Sequence, residues 1–184
     1  SSTQVASLTS DQIGTLQSDD VRAISSAGLR AWSTDQLAAL SETNMGALTT
    51  AQVASLTTAQ VSSLVTDDLS ALGTAEFGAL TTAQVTALTG AQVGGLVSDD
   101  LRAMTTAQFG AMSSVQIGGL TADQIPNLES ADLRAINTAA LRTMTSDQLD
   151  ALTGTQMAQL TTGQVAALTT AQLSNLGSDD LNAL

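Results

Sequence analysis

Four pairs of adjacent aspartates punctuate the chain: Asp19–Asp20, Asp67–Asp68, Asp99–Asp100 and Asp179–Asp180. Neighbouring carboxylates are the groups a Ca²⁺ ion prefers, because it gathers several carboxylate and carbonyl oxygens. These eight residues are therefore the metal candidates, although no DxDxDG loop or GGxGxD nonapeptide accompanies them. Composition excludes most other chemistry. Cys, His, Lys and Tyr are all missing, which removes disulfides, zinc and iron–sulfur sites, and the usual nucleophile–base pairs. Carboxylates alone would have to run a reaction, so the expectation is no catalysis, no catalytic residue and no cofactor. A net charge of −12, with five Arg as the only cations, argues against nucleic acid and anionic membranes as partners. No apolar run approaches the ~20 residues of a membrane span.

The aspartates sit in a frame that gives them a plainer task. Cut into octets from Ser1, the 184 residues form 23 consecutive copies without insertion or remainder. With the octet numbered 1 to 8, as in Thr49–Leu56 (TTAQVASL), positions 5 and 8 are apolar in every copy. A separation of three residues places both side chains on one helical face, whereas a half-buried strand would alternate. Position 7 is mostly Ala, Ser or Gly, small enough to let backbones approach.

The front of the octet reads as a helix start. Position 4 is Gln in 14 copies, and all 14 have Ser or Thr at position 1. That linkage predicts a capping box, in which the hydroxyl bonds an N–H three residues on and Gln reaches back to the N–H of the cap. Thr49 with Gln52, Thr57 with Gln60 and Thr161 with Gln164 are examples. Five octets carry Asp at position 4 instead: Asp20, Asp68, Asp100, Asp132 and Asp180. None has a hydroxyl at position 1 but each has one at position 2, which predicts caps shifted by one residue, at Ser18, Thr66, Ser98, Ser130 and Ser178. Every octet then has a hydroxyl cap candidate. Fourteen of the 17 acids lie at positions 3 or 4, where the helix dipole favours them. Capping thus accounts for the aspartates without a metal.

One continuous helix cannot satisfy this pattern, because its apolar stripe would rotate by about 80° per octet and wind around the surface. The expected fold is all-α: a superhelical solenoid of 23 short capped helices and sharp turns, forming one array over residues 1–184. Positions 5 and 8 should line its axis. Helices of about six residues are unstable alone, so each octet must depend on its neighbours. End octets built on the same pattern leave Val5, Leu8, Leu181 and Leu184 without a covering turn, which predicts end-to-end self-association.

A slower rhythm lies above the octet. The Asp-type octets are numbers 3, 9, 13, 17 and 23, and their successors hold Trp32, Phe77 and Phe109. All five Arg occupy position 6 of these special octets. Exposed ion pairs are expected for Arg, and wide core plugs for the aromatics. Pro126, at position 6 of octet 16, removes a mid-helix N–H, which so short a helix is expected to tolerate.

Octets of the TTAQVAAL type resemble the ALTTAQ-rich tracts of very large bacterial exported proteins described as adhesin-like. The resemblance spans the whole chain, carries over no binding or catalytic residue, and implies a bacterial extracellular or cell-surface setting. The pentapeptide repeat suggested by SADLRAI fails, since a period of five does not fit an unbroken eight. Three classes of function follow: a stalk, spacer or fibre segment; a binding scaffold for a protein or glycan; and a Ca²⁺- or ice-binding surface. The first is the leading expectation, since the hydroxyls that ice binding would need are engaged as caps.

Overall fold

The computed structural model describes residues 1–184 throughout. Every octet yields one short element. Twenty-two are α-helices of four to six residues, each starting at position 2, and no strand is present. Octet 16 differs. Pro126 cannot donate to the carbonyl four residues back, and residues Ile125–Asn127 form a 3-10 turn instead. The octet survives there, but as a tighter turn and not as the α-helix that its sequence frame predicts.

Helices are joined through two consecutive extended residues, position 8 of one octet and position 1 of the next. Leu56 (φ −56°, ψ 148°) and Thr57 (φ −74°, ψ 157°) are typical. No residue has positive φ, so the corner needs neither glycine nor proline. The corners from octet 1 to octet 22 are closed by a short bond from the position-8 N–H to the position-5 carbonyl, as in Leu56 to Val53 at 3.1 Å.

Packing divides the chain into two compact units, residues 1–88 and residues 89–184, that is, octets 1–11 and octets 12–23. In the first unit octet 1 packs on octet 4, 2 on 5, 3 on 6, and so on to 8 on 11. In the second, octet 12 packs on 15, 13 on 16, 14 on 17 and 15 on 18, and the pattern resumes with 18 on 21, 19 on 22 and 20 on 23. The main helix contacts in both units therefore join octets three apart. This is a solenoid in which contacts are set by distance along the repeat.

Positions 5 and 8 form the core. Val53, Val61, Leu69 and Phe77 in the first unit, and Val93, Ile117 and Leu133 in the second, are completely buried. Phe109 fills the same position, and Trp32 is buried with its Nε1 donating to the Val5 carbonyl at 2.9 Å. The aromatics are core plugs. Small residues meet where octets three apart touch: a Cβ added at Gly119 (position 7) would overlap the Gly90 carbonyl, and one at Gly46 would come within 2.6 Å of the Ala71 oxygen.

Candidate functional site

The side chain with the most chemistry in this fold is the glutamine at position 4. In all 14 octets that carry it, both reciprocal cap bonds are made; for Thr57 and Gln60, the Thr57 N–H donates to Gln60 Oε1 at 2.8 Å and Gln60 N–H to Thr57 Oγ1 at 3.1 Å. The pairs Thr49–Gln52 and Thr161–Gln164 have the same geometry. From octet 7 onward these amides are buried rather than solvated, whereas Gln4 and Gln12 are exposed. Gln52, Gln60, Gln84, Gln148 and Gln164 are all in the interior.

Their second task was not legible in the repeat. In octets 7, 8, 11, 16, 19, 20, 21 and 22 the amide nitrogen crosses to the octet four earlier and donates to its position-5 and position-8 carbonyls. Gln60 Nε2 reaches the Leu29 oxygen at 2.8 Å and the Trp32 oxygen at 3.0 Å; Gln84 reaches Val53 and Leu56, both at 2.8 Å. In the second unit Gln164 does the same with Leu133 and Ile136, and Gln172 with Leu141 and Met144. The position-8 carbonyl has no partner within its helix, and the position-5 carbonyl, which accepts the position-8 N–H, takes the amide as a second donor, so one amide serves a helix start and a helix end on successive turns. Octets three apart touch and octets four apart are tied, which places one turn of the coil between three and four octets. Glutamate would serve a capping box equally well, but it has no N–H to donate. That is the physical reason for Gln, and the signal was the scarcity of Glu at position 4, where only Glu76 occurs.

The Asp-type octets use the same slot differently. Their helices also start at position 2, and at the cap position Val65, Val97, Glu129 and Gly177 supply no side-chain acceptor. The expected one-residue shift of the cap onto Ser18, Thr66, Ser98, Ser130 and Ser178 does not occur. In octets 3, 9 and 13 Asp at position 4 keeps half of the box instead: the Gln17 N–H donates to Asp20 Oδ2 at 3.2 Å, and the Val65 and Val97 N–H groups bond Asp68 and Asp100. The position-2 hydroxyls are free to reach the octet three later, as Ser18 Oγ does to Asn44 Oδ1 at 2.9 Å. Octet 18 is capped by Asn137, which accepts from the Ala140 N–H at 2.9 Å, so amide and hydroxyl caps both occur.

Asp68, Asp100 and Asp132 are 7, 2 and 4% exposed. Burial pushes all three carboxyls above their ordinary value, Asp100 to about 6, because a charged form loses its water. Their pair-mates Asp67 and Asp99 point to solvent, as do both members of Asp19–Asp20. Asp179 is exposed and Asp180 partly so. Nowhere do three or more carboxylates converge as they would around a metal ion. Arg22 and Arg102 form exposed pairs with Asp19 and Asp99 at 4.0 and 3.5 Å. Arg also bridges octets, a role its position did not suggest: Arg22 Nε donates to the Ala47 carbonyl and Arg30 Nη1 to that of Ser55, at 3.2 and 2.9 Å.

The first turn holds an open cavity of about 500 Å³, lined by Val5, Leu8, Leu16 and Ile24 with Ser1, Asp20, Ala23 and Ser25. Its apolar lining consists of position-5 and position-8 side chains, the set that later octets bury. The cavity is therefore the uncovered edge of the core, with Ser1, Asp20 and Ser25 as its polar groups. At the other end Leu181 and Leu184 are exposed.

The sequence model of the ALTTAQ repeat matches four times, over residues 13–50, 61–98, 93–128 and 125–162, together more than half of the chain. The chain belongs to the ALTTAQ repeat family. No curated protein matches it. In the ALTTAQ repeat the six defining letters fall on the joint between helices, as in Ala47–Gln52, where Leu48 fills the core, Thr49 caps and Gln52 ties the turns together. No helix of this ALTTAQ repeat protein is long and apolar enough to cross a membrane.

Proposed function

We propose that this ALTTAQ repeat chain is a non-catalytic structural module, a stalk or spacer segment of a bacterial exported or surface protein. One observation carries the reading: the recurring polar groups of the octet are engaged in joining octets to one another. The position-1 hydroxyl caps its own helix, and the position-4 amide binds that cap and two carbonyls of the octet four earlier. A chain whose repeated chemistry faces inward suits a part whose useful property is its extent. Nucleic acid and anionic membranes are poor partners for a net charge of −12. End-to-end association belongs to the same reading, with Val5, Leu8, Leu181 and Leu184 as contact residues in a heterologous, non-closing interface.

The test is to vary octet number. Duplicating or deleting blocks of four octets preserves every four-octet tie, and the maximum dimension from small-angle scattering is expected to change in proportion. A dimension that stays constant as blocks are added, or a variant that collapses to a globule, would refute a spacer.

A further inference from the structure

The slot that Gln fills with an amide is filled in octets 9, 13 and 17 by a buried acid. An amide both accepts from the cap N–H and donates to carbonyls; an ionised carboxylate only accepts. Asp68 and Asp100 take the N–H of Val65 and Val97, and Asp132 Oδ1 takes the Thr106 hydroxyl at 2.9 Å. What no ionised aspartate can supply is the donor. At Asp100 the mismatch is explicit, since its Oδ2 is buried without any hydrogen-bond partner. Such an orphaned oxygen costs free energy.

No cation relieves these carboxylates. Around Asp68 the charged neighbours are Asp67 on its own helix and Glu42 on octet 6, which packs against it. Beside Asp100 lies Asp99; octet 16, packed on octet 13, contributes Asp123 as its one charged residue. Arg102 is engaged by Asp99 and by Asn127 Oδ1 at 3.3 Å. Asp132 has Glu129 on its own octet, whose Arg134 is exposed, and octet 14, packed on it, carries no charge. The neighbourhood of each acid is acidic or neutral.

We propose that Asp68, Asp100 and Asp132 make the folded repeat acid-stabilised: each takes up one proton and, as a neutral acid, supplies the O–H donor that Gln supplies elsewhere as N–H. Mild acid then tightens the turns in which these octets lie, and neutral pH loosens them. The direction follows from linkage. An acid held above its ordinary value in the folded state binds protons that the unfolded chain has released, so stability grows as pH falls through the folded value. For Asp100 that window runs from about 6 down to the ordinary 3.8, and full uptake there shifts the folding equilibrium about 100-fold.

Thermal unfolding of the full chain between pH 7.5 and 4.5 tests this. The melting temperature is expected to rise by several degrees as pH falls, and calorimetry in buffers of different ionisation enthalpy should detect proton uptake on folding near pH 5. The triple variant Asp68→Asn, Asp100→Asn, Asp132→Asn should be the more stable protein at pH 7.5 and lose most of the pH slope. Replacing the less buried Asp20 and Asp180 by Asn removes two acids of the same octet position and should leave the slope nearly intact. Asp100→Asn alone serves if the triple variant does not fold. A melting temperature flat or falling toward pH 4.5, no proton uptake on folding, or an undiminished slope in the buried-site variants would overturn the proposal.

Discussion

At the scale of the residue, position 4 decides how the repeat holds together. Gln60 makes three bonds within its own helix start and two across to Leu29 and Trp32. Thr57→Ala removes the cap hydroxyl, which accepts from the Gln60 N–H and donates to Gln60 Oε1, and is expected to cost about 0.5–2 kcal/mol. Gln60→Ala additionally strands the Trp32 carbonyl, and takes one of two donors from the Leu29 carbonyl, and is expected to cost about 1–3 kcal/mol. The double variant should cost less than the sum, because cap and amide share a reciprocal motif. Gln60→Glu separates the two tasks: it retains the acceptor, loses the donor and buries a charge, so it should be worse than Thr57→Ala at pH 7. Denaturant titrations measure all four, and a harmless Gln60→Glu would remove the inter-turn tie from the account. The cap was legible because the box couples residues three apart in sequence. The tie joins residues 28 and 31 apart, and no local pattern encodes a distance of that kind. The Asp-type octets misled for a related reason: a hydroxyl at position 2 looked like a displaced cap, whereas a carboxylate is enough to keep the N–H of position 1 satisfied and the helix start in register.

At the scale of the element, the small residues set how closely octets can approach. Gly118 and Gly119 are sequence neighbours with opposite surroundings, nothing lying within 4 Å of a Cβ at the first and the Gly90 backbone blocking one at the second. Gly119→Ala should force octets 12 and 15 apart and cost about 1–3 kcal/mol. Gly118→Ala should instead stabilise by about 0.4–1 kcal/mol, through the reduced freedom of the unfolded chain. Melting temperatures that move in the same direction for both would contradict the packing described. Helix type, length and phase could be read from the octet, since an apolar pair three apart and a start signal every eight residues leave few alternatives. The turn could not: it is built from two extended residues with ordinary φ, so it lacks the Gly or Pro that marks a tighter corner. Pro126 shows the limit of the repeat frame. One missing N–H converts an element to a 3-10 turn while Thr121 and Gln124 still make the cap bonds at 2.7 and 3.3 Å.

At the scale of the whole molecule, each unit lacks a central nucleus on which everything depends. An octet has its partners three and four octets away, and that dependence repeats with little change. Stability in such arrays is a sum of like terms between neighbours. The feature that matters most here is the amide tie, two hydrogen bonds for each Gln octet that has another four before it, because it also determines how the chain behaves under load. Pulled by its termini, a globular domain resists until a central set of contacts breaks and then extends at once. Here the turn at the loaded end is freed by breaking one octet's ties, and its release leaves the next octet in the same position. Extension is therefore expected at a nearly constant tension, in steps of at most about 29 Å as eight residues straighten, with slight stiffening where Phe77 or Phe109 must leave the core. Optical-tweezer traces should show a plateau that reverses on relaxation, and a few large force peaks would show that the octets yield together. A segment with this response absorbs a tug by lengthening and takes the length back afterwards.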